Sequence, residues 1–339
     1  MTISSLLRSR PRSRSGPGVR WLSAAVLGCA ATVVQAAGFA FIEVPADKDG
    51  PALRGAVWSP CSTPPGRIDL APLVLQGTRD CPVAGQGLPL VVVSHGAGGS
   101  ALGHHDTAAT LADAGYVVAA ISHPGDNFQD LSRQGYLSAF ATRPVDMKRL
   151  TDYMLGAWPQ RAQLDAGKVG FFGFSRGGYT GLVAIGAVPD WTSRQDLCSP
   201  LSTRPLCGEI RRKEIPATPA SDPRIRAAVI VAPLSVFDAK GLGHVKTPIQ
   251  LWASALGGDG VTLQSVETVR QGLPSAPDWH LAANAGHFAF LAPCSPALAE
   301  AVPGICRDAA GFDRVAFHQT FNAQVLAFFQ RHLAAAKAP

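Results

Sequence analysis

Residues 168–185 read KVGFFGFSRGGYTGLVAI, and this stretch decides the predicted fold. It begins with an apolar run typical of a buried strand, continues with the pattern G-x-S-x-G at residues 173–177, and ends in a segment that can begin a helix. A serine on such a tight turn projects its hydroxyl away from the backbone, and the crowded turn requires small flanking residues. Free N–H groups at the start of the helix favour negative charge there. The pattern therefore predicts that Ser175 is a nucleophile, and we name residues 173–177 the nucleophile turn.

A second apolar run lies upstream at residues 88–94 and leads into HGAGG at residues 95–99, which we name the oxyanion loop. Its continuous hydrophobicity predicts a central parallel strand. In enzymes with such a nucleophile turn, the loop after this strand donates one backbone N–H to the oxyanion, and the residue after the nucleophile donates another. We therefore predict an oxyanion hole formed by the amides of Ala97 and Arg176. Each donor is worth about 3 kcal/mol of transition-state stabilisation.

The general base should follow Ser175, because the chain order with this motif is serine, acid, histidine. The histidines that satisfy this order are His244, His280, His287, His318 and His332. Among them, His287 lies in a loop directly after the predicted strand 278–282, at the sheet edge where open α/β sheets bind ligands. The others lie before or within predicted strands or in the C-terminal helix, so the sequence favours His287.

The acid should lie in a loop after one of the strands that precede His287. Asp259 follows the predicted strand 247–253 in a glycine-rich loop, and an acid there would hold the imidazole tautomer and stabilise the imidazolium. Asp238 is an alternative, because some hydrolases take the acid from the loop after the preceding strand. Asp278 lies too close to the start of the last strand. The sequence favours Asp259 and leaves Asp238 open.

These residues belong to a longer pattern, which covers about residues 38 to 335. Its parts are SHGAGG at 94–99, GHHD at 103–106, AGYVV at 114–118, HPGDN at 123–127, RPVD at 143–146, the nucleophile turn, and GHF at 286–288. The pattern resembles the bacterial dienelactone-hydrolase-like branch of the α/β-hydrolase superfamily, which is related to the platelet-activating-factor acetylhydrolases. True dienelactone hydrolases use a cysteine nucleophile, whereas this chain has Ser175, so the family name does not give the substrate.

The resemblance implies an α/β-hydrolase fold, with a mostly parallel sheet between helices, and a triad of Ser175, Asp259 and His287. It also implies a carboxylic ester hydrolase that forms an acyl-enzyme, acts on a small-molecule ester, and needs neither a metal nor an organic cofactor. An amidase or peptidase with the same triad is the alternative, because the motif does not encode the leaving group. A non-catalytic binding protein on this fold is a further alternative. The natural substrate, acyl-chain length and oligomeric state stay open.

Two other clusters contain residue types that bind metals or substrates. His104, His105 and Asp106 are adjacent, but neighbouring side chains at a helix start point in different directions and no zinc-like spacing accompanies them. We expect capping and packing roles for these three. His123 and Asp126 follow the predicted strand 116–122, where they either shape the rim of the site or form hydrogen bonds within the loop.

Residues 1–36 have the features of a secretory leader: five arginines and no acid, a short apolar segment, and the small-residue exit VQA at 34–36. We therefore predict a periplasmic or secreted protein without stable membrane insertion after leader removal. The whole chain has 30 basic and 24 acidic residues, but the five leader arginines leave 25 basic residues in the mature part. This near balance gives no reason to expect nucleic-acid binding.

The cysteine pattern agrees with export. Six cysteines remain after the leader, all in loop-like sequence, and an even set in an exported protein predicts disulfides. Their short separations favour the pairs Cys61–Cys81, Cys198–Cys207 and Cys294–Cys306.

The mature chain, residues 37–339, is predicted to be a single α/β domain, because strands and helices alternate throughout. Residues 39–44 and 52–58 predict an antiparallel pair at one edge of the sheet. Helices are predicted over 104–114, 144–157 and 326–336. Residues 190–222 interrupt the alternation with a proline-rich stretch, too long for an ordinary loop, which predicts a cap over the site.

Overall fold

The computed structural model describes residues 36–192, 198, 201–219 and 221–333, which form a mixed sheet with helices on both faces. The strands of this part of the chain are β1 (Ala36–Val44), β2 (Leu53–Cys61), β3 (Gly66–Leu70), β4 (Leu73–Arg79), β5 (Leu88–Ser94), β6 (Val117–Ile121), β7 (Leu164–Phe174), β8 (Ile225–Val231), β9 (Ile249–Ser254) and β10 (Asp278–Ala282). Its helices are α1 (His105–Asp113), α2 (Leu137–Gly156), α3 (Arg176–Ala184), α4 (Pro205–Arg211), α5 (Ala239–Leu242), α6 (Leu263–Gly272), α7 (Pro296–Ala301), α8 (Pro303–Cys306) and α9 (Arg314–Leu333).

Six strands run parallel, in the spatial order β10-β9-β8-β7-β5-β6. The predicted antiparallel pair is confirmed: β1 pairs with β2, and β2 pairs antiparallel with β6, so the pair extends the parallel strands on the β6 side. β4 then joins β1 in parallel, and β3 pairs antiparallel with β4. Because the six parallel strands share one direction, their carboxyl ends and the loops after them meet at one edge of the sheet.

The central strands are buried because helices cover both faces. Every residue of β8 except Arg226 is buried, and so is every residue of β6 and β9. Such strands read as continuous apolar runs rather than alternating ones, which is why the sequence predicts them well. Phe321, Phe328 and Phe329 of α9 are fully buried in the same core.

Two helices begin earlier than the sequence predicts. α2 begins at Leu137 rather than at residue 144, with Pro144 inside it, because the Glu209 carboxylate accepts the Leu137 N–H at 2.7 Å and so caps its first turn from a distant segment. α9 begins at Arg314 rather than residue 326, and the Asp313 carboxylate accepts the N–H of Ala316. Residues 334–336 of that predicted helix lie outside the described residues.

All three predicted disulfides are present: Cys61–Cys81, Cys198–Cys207 and Cys294–Cys306. The Cys198–Cys207 disulfide links Cys207 of α4 to Cys198, and both cysteines belong to the predicted cap segment. Residues 193–197, 199–200 and 220 of that segment lie outside the described residues. The Leu206 N–H of α4 donates to the Gly135 carbonyl, so this helix lies beside the segment that leads into α2. The predicted leader also falls outside the described residues, except for Ala36. Among the described helices, none is both long and apolar enough to cross a bilayer.

Candidate active site

Ser175 occupies the predicted strand-to-helix turn, between the end of β7 and the start of α3. Its backbone has φ 57° and ψ −117°, a conformation that costs a residue with a side chain about 1–3 kcal/mol. β8 and the segment after it hold the turn, because the Ser175 N–H donates to the Val231 carbonyl at 2.9 Å and the Ser175 carbonyl accepts from the Leu234 N–H at 3.1 Å. A Cβ at Gly177 would overlap the Ser94 carbonyl oxygen, which is the physical reason for glycine at this position.

The backbone N–H groups of Ala97 and Arg176 donate no hydrogen bond to any described residue. The oxyanion loop lies directly against the nucleophile turn, since a Cβ built on Gly96 would be 3.2 Å from the Ser175 Cβ. Arg176 is the first residue of α3, where the N–H groups of the first turn have no intrahelical acceptor. The loop that contains Ala97 and the first residue of α3 therefore both lie beside the turn of Ser175.

His287 begins a 3-10 turn after β10, and its imidazole is buried. The ring packs on Phe174, the residue before Ser175, with the ring centroids 4.7 Å apart. Neither ring nitrogen has a hydrogen-bond partner among the described residues, so the imidazole is not hydrogen-bonded to Ser175 or to Asp259. Burial lowers the pKa of His287 to about 4, which keeps the ring neutral near pH 7.

Asp259 lies in the loop after β9, which adjoins the loop of His287. The His287 N–H donates to the Gly257 carbonyl at 2.8 Å, and a Cβ on Gly258 would be 3.1 Å from the His287 Cβ. Asp259 itself has φ 48°, is exposed, and forms no hydrogen bond with a described residue. Nearby protein atoms still reduce its hydration and raise its pKa, an effect that the charge of Arg176 opposes.

The alternative acid, Asp238, has a clear structural partner. It is the N-cap of α5, and its Oδ1 accepts the Gly241 N–H at 2.6 Å. The structure therefore brings the loop of Asp259 beside His287, but it joins neither acid to the imidazole by a hydrogen bond.

Three of the other late histidines have local partners away from Ser175. His280 stacks on Trp252 with ring centroids 4.3 Å apart and contacts Asp278, and the ring of His332 packs on Phe328. His318 bonds the Asp106 carboxylate through Nδ1 at 2.6 Å and the Ala289 carbonyl through Nε2 at 2.9 Å. These two contacts hold the ring of His318 between α1 and the turn that carries His287.

The cluster His104, His105 and Asp106 does not converge. The ring of His104 is buried against Phe172 and Phe174, while His105 Nδ1 bonds the Leu102 carbonyl within the same turn. Asp106 instead pairs with His318. Among the described residues, no group of three or more histidine, cysteine or acidic side chains could hold a metal ion.

His123 and Asp126 are buried and hydrogen-bonded inside the loop region, as one of the two interpretations expects. The His123 Nε2 lies 2.9 Å from the Ser94 hydroxyl, and its Nδ1 lies 3.0 Å from Asp146. This series has the residue types of a catalytic triad, yet Ser94 and His123 have no exposed surface and Asp146 is buried. Burial raises the pKa of Asp146 to about 7 and lowers that of His123 well below its ordinary value.

Sequence reasoning missed the role of Arg143. Its guanidinium is 1% exposed, bonds Asp126, and donates to the His95 carbonyl in the oxyanion loop. Burial lowers the pKa of Arg143 to about 10, partly offset by the charge of Asp126. The pattern RPVD at residues 143–146 marked this arginine, but nothing in the local sequence indicates its partner.

Comparison with known proteins supports the architecture. No family model and no curated protein matches the chain. Among solved structures, a ferulic acid esterase from Streptomyces cinnamoneus is similar, with 18% sequence identity, a TM-score of 0.62, and coverage of 91% of this chain and 93% of that chain. At this identity the likeness shows the fold, and the predicted α/β-hydrolase fold is confirmed.

Proposed function

We propose that the protein is a serine esterase that cleaves carboxylic esters. Ser175 Oγ attacks the ester carbonyl carbon while His287 takes the hydroxyl proton, and the amides of Ala97 and Arg176 bind the oxyanion. His287 then gives the proton to the leaving alcohol as the ester bond breaks, and water hydrolyses the acyl-enzyme with His287 again as base. Asp259 orients the imidazole and stabilises its charged form.

The observation that carries the proposal is the strained backbone of Ser175 at the start of α3, in contact with the oxyanion loop. Strain at a non-glycine residue is tolerated only where the surrounding structure holds it, and it concentrates at functional sites. An oxyanion needs donors that are already oriented and not occupied by another acceptor. The N–H groups of Ala97 and Arg176 have no acceptor among the described residues, which supports this role for them.

The state of His287 supports its role as the base. A general base must be neutral before it accepts a proton, and a pKa of about 4 keeps the buried imidazole neutral across the physiological range. Catalytic hydrogen bonds are often longer in the free enzyme than in the reacting complex, so an unpartnered imidazole is compatible with this role. The loop of Asp259, which adjoins His287, supports that acid over the helix-capping Asp238.

Three other features complete the proposal. The sequence pattern supports the dienelactone-hydrolase-like branch, and the likeness to a ferulic acid esterase supports a small-molecule carboxylic ester as substrate. The catalytic domain would span residues 37–339, with the segment 190–222 as a cap. A leader over residues 1–36 would direct export to the periplasm or beyond, which the three disulfides support.

The test is hydrolysis of p-nitrophenyl esters from acetate to laurate, together with methyl ferulate, by the mature protein and its Ser175→Ala variant. We expect turnover that depends on Ser175, and the chain-length profile would report the depth of the acyl pocket. A folded, disulfide-intact protein that hydrolyses no ester faster than the variant would rule the esterase out. Matched p-nitroanilide substrates would then test for an amidase.

A further inference from the structure

A buried carboxylate connects the two segments that carry the oxyanion amides. Asp126 has no exposed surface, and its Oδ1 accepts the Gly98 N–H of the oxyanion loop at 3.3 Å. Its Oδ2 accepts from Arg143 Nη1 and from Arg176 Nη1, the latter at 2.8 Å. We name Asp126, Arg143 and Arg176 the Asp126 clamp. Through it, the nucleophile turn and the oxyanion loop share one acceptor.

The two arginines of the clamp also have contacts other than Asp126. Arg143, on α2, also donates to the His95 carbonyl. The guanidinium of Arg176 donates to the Gln134 carbonyl at 3.0 Å and lies 4.5 Å from the Phe140 ring centroid. Neither guanidinium can therefore move without breaking several contacts at once.

We propose that the Asp126 clamp positions the oxyanion donors. Asp126 and Arg143 set the orientation of the oxyanion loop, and the Arg176 side chain fixes the position of its own backbone amide relative to that loop. These are positioning residues, because their side chains act through the amides of Ala97 and Arg176 rather than on the reacting atoms. The inference rests on the proposed role of Ser175 as a nucleophile.

Peptide geometry explains how the loop is oriented. His95 Nδ1 lies 2.6 Å from the Gly96 carbonyl, and the His123 N–H donates to His95 Nε2, so the ring proton is on Nδ1 and donates to Gly96. In a planar trans peptide the C=O and the following N–H point in opposite directions. The Ala97 N–H is therefore turned away from the His95 ring. Because Asp126 holds the next amide, that of Gly98, the peptide on either side of Ala97 is fixed.

A purely structural role is the competing explanation, since buried ion pairs also affect folding. Removing Asp126 would leave two buried guanidiniums uncompensated, and such a change is strongly destabilising. The informative variant is Arg176→Met, which keeps the amide of residue 176 and leaves Asp126 and Arg143 paired one to one. Arg143→Met is a second variant, and its site is too deeply buried to touch a substrate.

We expect Arg176→Met and Arg143→Met to lower kcat for ester hydrolysis about ten- to a hundredfold with KM unchanged, because a displaced donor weakens only transition-state binding. The rate at which a fluorophosphonate probe labels Ser175 should fall by a similar factor. Asp222→Asn is the matched control. Asp222 is a buried carboxylate that pairs with Arg224 near the amino end of β8, away from the site. Its replacement by asparagine should lower the stability of the fold but leave kcat within about twofold.

The outcomes separate the two proposals. If the wild-type protein is labelled at Ser175 but hydrolyses no ester, the proposed function fails, and the labelling rates alone decide whether the clamp positions the donors. Unchanged kcat and labelling rates in folded Arg176→Met and Arg143→Met proteins would overturn the positioning role. A raised KM with unchanged kcat would also overturn it, since Arg176 would then bind substrate directly. If the wild-type protein shows neither turnover nor labelling, both proposals fall.

Discussion

The imidazole of His287 packs on the ring of Phe174 at 4.7 Å between centroids, with 31° between the ring planes. Phe174 is the last residue of β7 and His287 follows β10, so two strands that are not neighbours in the sheet bring these rings together. The contact is part of the burial that shields the imidazole from water and lowers its pKa. It also places the proposed base beside the residue that precedes the proposed nucleophile.

The pH dependence of activity should report this burial. The base acts only when neutral, and its pKa of about 4 lies below the ordinary value of 6.5, so kcat/KM should be lost only as the pH falls towards 4. A pH profile of kcat/KM from pH 3.5 to 8 measures the acid limb. Full recovery of activity on return to pH 7 is the control for unfolding. An acid limb with an apparent pKa near 6.5 would show that His287 is hydrated in the working enzyme.

Replacing each acid by its amide should separate the two candidates. Asp259→Asn is expected to lower kcat by about a thousandfold or more, because the orienting carboxylate of a triad is lost. Asp238→Asn keeps a side-chain oxygen that can cap α5, so it should retain both stability and near wild-type kcat. Steady-state kinetics of the two purified variants make the comparison. Loss of activity in Asp238→Asn alone would move the triad acid to Asp238.

The ion pair between Asp106 and His318 should stabilise the turn that carries His287, because His318 also bonds the Ala289 carbonyl. Burial by itself would raise the pKa of Asp106, but the hydrogen bonds and charge of His318, with a hydrogen bond from Asn322, lower it overall. The ionised carboxylate therefore stabilises the fold above its unfolded pKa of about 3.9, and this stabilisation is lost as the pH falls through the lower folded pKa.

Asp106→Asn should accordingly lower the free energy of unfolding by about 2–4 kcal/mol at pH 7, with a difference that shrinks below about pH 4. Denaturant unfolding with the disulfides intact, at pH 7 and pH 3, measures this difference. Asp69→Asn serves as the control, because its pair with Arg67 is exposed to solvent and should contribute little to stability at either pH. A difference that is equal at both pH values would mean that the Asp106 charge does not stabilise the fold.

Gly177 tests the packing of the nucleophile turn. In Gly177→Ala the new methyl group would overlap the Ser94 carbonyl, so α3 has to move away from β5. We expect a lower unfolding midpoint and at least a hundredfold loss of kcat, since a small displacement of catalytic groups is costly. Gly156→Ala is the matched control: a Cβ there meets no atom within 4 Å, and alanine at a helical site should be neutral or stabilise by up to about 1 kcal/mol. Wild-type activity in Gly177→Ala would contradict the close approach of residue 177 to the Ser94 carbonyl.

Much of the fold and part of the site could be predicted from local sequence. Central strands buried on both faces are continuous apolar runs, so β5, β7 and β8 stand out without any tertiary information. The disulfide pairs followed from short separations. The start of α2 could not be predicted in this way, because the side chain that caps its first turn comes from Glu209, 72 residues further along the chain.

The sequence by itself determined the nucleophile turn, since a strand, a serine between small residues and a helix are specified within about eighteen neighbouring residues. Only the tertiary structure decided what the buried charges do. Asp126 lies 17 residues from Arg143 and 50 residues from Arg176, and no local pattern relates these three side chains. Their pairing depends on how the ends of β6 and β7 lie beside α2, and each buried charge needs a partner there because burial without one is too costly.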